Sequence, residues 1–436
     1  MKVKASRTVR AAAAALSAAC AMFAGAAHAT TDIQLWTLLS GGDGARMKQL
    51  VDGFNDSQKD VKVTTTTLKW GEPFYTKVKT ASAVGEGPDL VTIHLSRVSG
   101  LAQTGVLRPI SQAEFDASTL KGSDFFDRLW AKAHYQDKLY AVPLDTHALV
   151  LYYNKDLIKK AGLAGPDGNL KPITSLADLT AAFKAVKDKT GVPGVTMETS
   201  QDSYNAAWRL WETMIYQQGG KIVDNNTLVY GKAGQQALQT MVDWYSQGLG
   251  TKGLDYGAST SEFIAGKAGF MINGVWEVPT LVDDANAKKL GFDYGVISLP
   301  ALYNGNQTVW ADSHAFAIPD NKGKPIPADH VKAALQFVAY VEQHAIVWGG
   351  GGHIPAYKPV TLSDQFKQLK PNSDYAQTTA EHVAYDPDGW WSGAAGPLEA
   401  AAAKYFPAAI NGQLPVDKAM KMFDSDANKL LKRPAP

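Results

Sequence analysis

At 436 residues, with a formal net charge of +1 and 19% charged residues, the chain is long for a single core and too evenly charged to follow nucleic acid with a basic face. Its one cysteine, Cys20, lies in a leading apolar segment. A body without that segment has neither disulfides nor thiolate metal sites, so a large buried core must hold it, and the length favours two lobes.

Lys2, Lys4, Arg7 and Arg10 precede an uncharged run from Ala11 to Ala27, and Ala27-His28-Ala29 fits a small-x-small cleavage site. The run is short for a membrane span. It predicts a signal peptide over 1–29, cleavage after Ala29 and export to the periplasm. Ser17 stands where a lipoprotein motif wants leucine, which argues against lipidation of Cys20.

Asp32 to Leu39 reads as a strand, and Ser40 to Gly44 as a tight turn presenting Ser40. Met47, Leu50, Val51 and Phe54 then recur at helical spacing. The turn has neither the Gly-Lys-Ser/Thr ending nor the GxGxxG of a nucleotide site. Val61 to Leu68 is a second strand with Trp70 beyond its end. Phe74 to Val84 is a helix, Leu90 to His94 a third strand, and Ser96 to Gly105 another helix. This alternation predicts an α/β fold with a parallel sheet covered by helices. Ligands of such sheets sit beyond the strand C-termini, which points to Ser40, Trp70, His94 and Arg97.

The stretch from Asp137 to Leu163 organises the chain. An apolar segment stops at Pro143, and Asp145, Thr146 and His147 form a polar kink. Ala148 to Tyr153 reads as a strand buried on both faces. Asn154 is the expected N-cap of a helix from Lys155 to Ala161, with Gly162 as its stop. Helices follow over Ser175 to Lys189 (with Ser175 as a candidate cap), Tyr204 to Gln218 and Ala233 to Gln247. Trp208 and Trp211 share a face of the second and read as core. Phe270 to Asn273 is a strand leading to Gly274 and Trp276. Leu290 to Leu299 is a strand region. Thr308 to Ile318 is a strand that puts Trp310, Asp312 and His314 on one face by period-2 spacing. Lys332 to Glu342 is helical, and the four-glycine loop Gly349 to Gly352 precedes His353. Asp386 to Gly389 is a turn that throws Trp390 and Trp391 into a loop. Late helices run from Leu398 to Ala409 and Val416 to Leu431.

Four segments resemble the maltose-binding-like group of extracellular solute-binding proteins of ABC importers. They are the Tyr152-Tyr153-Asn154-Lys155-Asp156-Leu157 run with Ala161-Gly162-Leu163, Gly87-Pro88-Asp89 with Gly105-Val106-Leu107, Gly266-Lys267-Ala268 with Asn273-Gly274-Val275-Trp276, and Gly352-His353-Ile354-Pro355. The resemblance implies a two-lobe periplasmic binding protein fold of type II, with a hinge and an interlobe ligand cleft. It implies a first lobe of 30–143 plus 279–318 and a second of 144–278 plus 319–436. It also implies a non-enzymatic monomer that carries a carbohydrate to a membrane permease and its ATPase. Ser40, Trp70, His94, Asp145, Thr146, Asn273, Trp276, Asp312, His314, His353 and Trp391 match cleft-facing positions, and Arg97 matches less fully.

The residue chemistry agrees. Asp, Asn, His, Ser and Thr pair hydroxyls, and a flat indole covers the C–H face of a sugar. Covering about 40–60 Å² is worth roughly 1–1.5 kcal/mol per ring. Eleven tryptophans exceed a core's need, because each buried indole N–H requires an acceptor. Trp276, Trp310 and one of Trp390 and Trp391 are the best stacking platforms. A relative of this group binds glycerol phosphate esters and carries arginines in the late loop. Here that loop, Asp386 to Ala394, has no cation, which favours a neutral carbohydrate over a phosphate ester; a glycerol-phosphate or polyol binding protein of the same fold is the alternative. A secreted glycoside hydrolase would pair Asp145 with Asp312 as its two carboxylates. A metal or phosphate scavenger would cluster His94, His314 and His353, but no HxxxH or HxH spacing occurs. No cofactor, metal or nucleic acid is therefore expected.

Overall fold

The computed structural model describes residues 30–286 and 288–436, so the predicted signal peptide and Cys20 lie outside the described residues. Strands run in chain order as β1 (Thr31–Thr37), β2 (Val61–Thr67), β3 (Leu90–His94), β4 (Ala141–Pro143), β5 (Asp145–Asn154), β6 (Val195–Thr196), β7 (Phe270–Gly274), β8 (Tyr294–Ser298), β9 (Val309–Asp312), β10 (His314–Ala317), β11 (Ile354–Pro355) and β12 (Val383–Tyr385). These strands form the two large sheets, beside which two short hairpins pair His134–Tyr135 with Lys138–Leu139 and Val223–Asp224 with Thr227–Leu228, and the fold is the expected two-lobed α/β architecture.

The first sheet has the order β2-β1-β3-β10-β4. β1 pairs in parallel with β2 and β3, as the strand-helix alternation predicts, but β10 runs antiparallel to β3 and β4. Helix Gly41–Ser57 buries Met47, Leu50, Val51 and Phe54, the four residues at helical spacing. The second sheet is built on β5, whose ten residues are all buried. It pairs with β7, β8, β9 and β11 at successive points along its length. The expected kink at Asp145 to His147 is instead the start of this strand, and the break falls at Leu144.

Asn154 and Ser175 cap their helices as expected, accepting from the Leu157 and Asp178 amides. The Asn154 cap is buried, so Asn154→Ala is expected to cost about 1 kcal/mol in a urea unfolding curve. An unchanged midpoint would show that the cap adds nothing. Trp208 and Trp211 stack at 4.9 Å inside the second core, where their spacing placed them.

Three expectations are corrected. Thr308 to Ile318 is not one strand: it ends as β9 in the second sheet and restarts as β10 in the first, with Ser313 between them. The Leu95 amide donates to the Ser313 carbonyl at 2.7 Å, which fixes the crossing. Trp310, Asp312 and His314 therefore do not share one strand face. The expected second-lobe segment 319–436 also fails for helix Ala328–Gln343, whose Phe337, Val338 and Val341 fill the first core. Conversely, Val309, Trp310 and Ala311, expected in the first lobe, belong to the second core. Apolar periodicity announces that an element is buried but not which of two cores buries it. Finally, Leu398 to Ala409 is two helices, Pro397–Ala403 and Phe406–Ile410. Among the described residues no helix is long and apolar enough to cross a membrane.

Candidate functional site

The C-terminal ends of β1, β2 and β3 place Ser40, Trp70 and His94 on one side of the first sheet. Ser40 is exposed at the start of helix Gly41–Ser57. Trp70 keeps 40% of its surface exposed. It meets His94 edge to face at 5.9 Å between ring centroids. His94 is buried, and its amide donates to the Tyr75 hydroxyl oxygen at 3.1 Å. That hydroxyl also lies 2.7 Å from His94 Nδ1, within hydrogen-bond distance. Burial, then the neighbouring His314 and His147, hold the His94 pKa well below the usual imidazole value.

Across from this group, β5 and β7 supply the second lobe's share. His147 lies 5.7 Å from His94 on one side and 5.7 Å from Trp276 on the other. Trp70, His94, His147 and Trp276 thus form a row of rings that starts on the first lobe and ends on the second. Trp276 packs against its own strand end: a Cβ on Gly274 would fall 2.1 Å from the indole. Asn273 is buried and accepts from the Gly274 amide at 2.8 Å.

Beneath the row lies Asp145, wholly buried. Its Oδ1 accepts the His314 amide at 2.9 Å and lies 3.0 Å from His147 Nδ1. Its Oδ2 accepts Trp348 Nε1 at 2.7 Å and lies 2.8 Å from His314 Nδ1. Burial works to raise the Asp145 pKa, but the imidazoles of His314, His353 and His147 outweigh it and hold the carboxyl well below its usual range. His147 is lowered to about 4, by burial first and then by His314. His353 stacks on Trp348 at 4.6 Å, between Asp43 Oδ1 at 2.9 Å and Asp145 Oδ2 at 3.2 Å. Burial lowers its pKa, but these two carboxylates reverse the shift and raise it.

Asp312 is also spoken for. It accepts the Ser96 amide at 3.0 Å, the Ser96 hydroxyl at 2.5 Å and the Ser313 amide at 2.8 Å, tying the first lobe to the end of β9. Burial, then the charge of Asp386, raises its pKa to about 6. Ser96 Oγ also accepts the Ala394 amide at 3.1 Å, and Ser99 Oγ accepts the Gly389 amide at 3.1 Å. Arg97 lies over the Tyr75 ring at 4.5 Å and reaches the Ala394 carbonyl at 3.4 Å. The two lobes therefore touch along the 386–396 loop.

Of the residues expected together, Trp70, His94, Asp145, Trp276, His314 and His353 converge, while Thr146 is buried with its hydroxyl 3.3 Å from that of Tyr385. Trp310 and Trp391 do not present a face. Trp310 is buried under the Arg209 guanidinium at 4.2 Å and donates to Asp386. Trp391 is buried and donates to Asn226 at 3.3 Å. Their indole N–H groups found acceptors inside the second lobe, which composition alone does not reveal. Trp390 is half-buried at the lobe contact, with its Cα 2.8 Å from where a Cβ on Gly100 would sit. Sequence reading missed His147 as a member, although it stands two residues from Asp145 and so on the same strand face. Tyr75, Ser96 and Arg209 were missed as well, and their local sequence carries no signal.

The bacterial extracellular solute-binding protein model matches residues 40–346. The maltodextrin-binding protein MdxE of Bacillus subtilis is 27% identical over 241 residues, which is 51% of this chain, and the chain spans only 50% of that relative's length. The sn-glycerol-3-phosphate-binding periplasmic protein UgpB of Agrobacterium fabrum is 25% identical over 82% of this chain and 80% of its own. Among solved structures, the GacH receptor of Streptomyces glaucescens, known with acarbose, superposes with a TM-score of 0.77 at 22% identity, covering 93% of this chain and 99% of that one. The cyclic alpha-maltosyl-1,6-maltose binding protein of Arthrobacter globiformis gives 0.72 at 23% identity, covering 93% and 100%.

Proposed function

The chain belongs to the bacterial extracellular solute-binding protein family, and from that premise we propose that it captures a neutral carbohydrate between its lobes and hands it to the permease of an ABC importer. The supporting observation is the row of rings from Trp70 to Trp276, with an indole from each lobe at its two ends. Two indoles cover the C–H faces of a sugar, while His94 Nε2, Ser40 and Arg97 meet its hydroxyls. A ligand bridging both lobes favours the closed arrangement, which the permease and its ATPase read. The protein acts as an exported monomer, released by cleavage after Ala29, in the periplasm. It performs no chemistry. Asp145 and Asp312, the pair a hydrolase would need, are each held by hydrogen bonds from protein donors.

A thermal-shift screen of the chain against mono-, di- and oligosaccharides, polyols and glycerol 3-phosphate tests this. A ligand that binds only the native state adds about 2.7 kcal/mol at a hundredfold excess over its Kd. A shift with one sugar class, lost in Trp276→Ala, is the expected result. A shift with glycerol 3-phosphate alone would move the ligand class to phosphate esters, as the similarity to UgpB allows.

Gly274→Ala gives a second test. The new methyl must push the Trp276 ring off its seat rather than strain the backbone. Sugar affinity is expected to fall by about tenfold, or 1.4 kcal/mol, while the variant still melts cooperatively. Unchanged affinity would remove Trp276 from the contact surface.

A further inference from the structure

We propose that Asp145, His147, His314 and His353 form a binding site for a divalent transition metal of the zinc class. One ligand atom from each lies within 4.8 Å of all the others. The Nδ1 atoms of the three imidazoles converge on one carboxylate, at 3.0, 2.8 and 3.2 Å. Zinc bonds of about 2.0–2.1 Å in a tetrahedron put neighbouring ligand atoms roughly 3.3 Å apart, so ligand atoms now up to 4.8 Å apart must draw in by as much as about 1.5 Å to close around an ion. Three imidazoles and a carboxylate are a borderline donor set that suits zinc, copper or nickel and not calcium or magnesium.

A hydrogen-bonded node would account for His147 and His314, but it leaves two groups unexplained. His353 Nδ1 is buried and has no hydrogen-bond partner among the described residues, although Asp145 Oδ2 is only 3.2 Å away. The nitrogen is near the carboxylate without being aligned with it. Glu342 is wholly buried, and both of its carboxyl oxygens lack partners as well. Burial, then the charge of Asp145, raises its pKa well above the usual carboxylate range. Buried polar atoms are rarely left this way without an ion or water to satisfy them.

The outer contacts also fit. His353 Nε2 meets Asp43 at 2.9 Å, and Trp348 Nε1 donates to Asp145 at 2.7 Å. Partners of this kind fix a ligand ring and its tautomer in metal sites. The four residues come from the start of β5, the start of β10 and the loop before β11, where the chain passes between its sheets. A metal there would join those three segments at one point.

The test uses the full chain without a polyhistidine tag, stripped with a chelator and free of sugar. Zinc ion alone is added, and retained zinc is measured after gel filtration. One equivalent retained, a raised melting midpoint that chelator reverses, and at least about a tenfold loss of affinity in His314→Gln and in His353→Gln are the expected results. No retained zinc, or retention that both variants leave unchanged, would overturn the site. If the variants do not fold, cobalt(II) added to the unsubstituted chain decides. An intense visible spectrum of tetrahedral type supports the site, and the weak spectrum of octahedral cobalt overturns it.

Discussion

Arg209→Met is expected to destabilise the protein by about 3–5 kcal/mol, because it strands buried carboxyls that one guanidinium now holds. Arg209 is wholly buried and pairs with Glu212 at 2.7 Å, Asp386 at 2.9 Å and Glu399 at 3.1 Å. The indole of Trp310 lies against its guanidinium. The loss should also depend on pH. Burial, opposed by Arg209, raises the Glu399 pKa to about 7, and Glu212 is raised well above the usual carboxylate range, by burial and by Asp386. A carboxyl raised in the folded state contributes its stability fully below its unfolded value of about 4.5 and loses it as pH rises through the folded value. Removing Arg209 takes away the charge that lowers both groups. The variant's deficit should therefore be smaller near pH 5 than near pH 8. Urea unfolding at the two values reads this directly, and equal deficits would show that the carboxyls are not coupled to the guanidinium.

The same cluster shows where sequence reading stops. Arg209, Glu212, Asp386 and Glu399 come from helix Asn205–Gln217, the late loop and helix Pro397–Ala403. Nothing local marks them as partners, since Arg209 to Glu212 is the spacing of any exposed helical ion pair. The two lobes were legible for the opposite reason. Alternating strands and helices, the apolar run Ala148 to Tyr153 within β5 and the caps at Asn154 and Ser175 are local signals, and local signals survive in one dimension. Where a decision depended on which core a segment joins, as at Ser313 and in helix Ala328–Gln343, the pattern was silent.

The site was half legible. Trp70 and His94 follow from the rule that ligands lie beyond parallel strand ends, and the strand ends were readable. Asp145 and His147 share a face by period 2, so half of the buried cluster was also readable. His314 and His353 join it only because β10 and the glycine loop return to the same point. Trp310 and Trp391 illustrate the reverse error. An indole count shows that acceptors are needed, but it does not say whether protein or ligand supplies the packing.

Gly100→Leu is expected to weaken sugar capture about a hundredfold without unfolding either lobe. The helix Val98–Gln103 meets the late loop with almost no clearance. A Cβ at Gly100 would fall 2.8 Å from the Trp390 Cα and 3.5 Å from the Gly389 carbonyl oxygen. These are backbone atoms, so no rotation of a side chain relieves the clash, and the lobes must part. Nearby, Ser96 donates to Asp312 and accepts from Ala394, and Ser99 accepts from Gly389, so parting also breaks the bonds that hold the closed contact. The row from Trp70 to Trp276 needs both lobes in place. If only about one per cent of the variant remains closed, its apparent Kd rises by the inverse of that fraction, about a hundredfold. Small-angle scattering should show a larger radius of gyration, and calorimetry the weaker binding, while the urea midpoint stays near that of the parent. A variant that scatters as a more open molecule yet binds as tightly would separate lobe closure from capture. The ligand would then be held by one lobe alone.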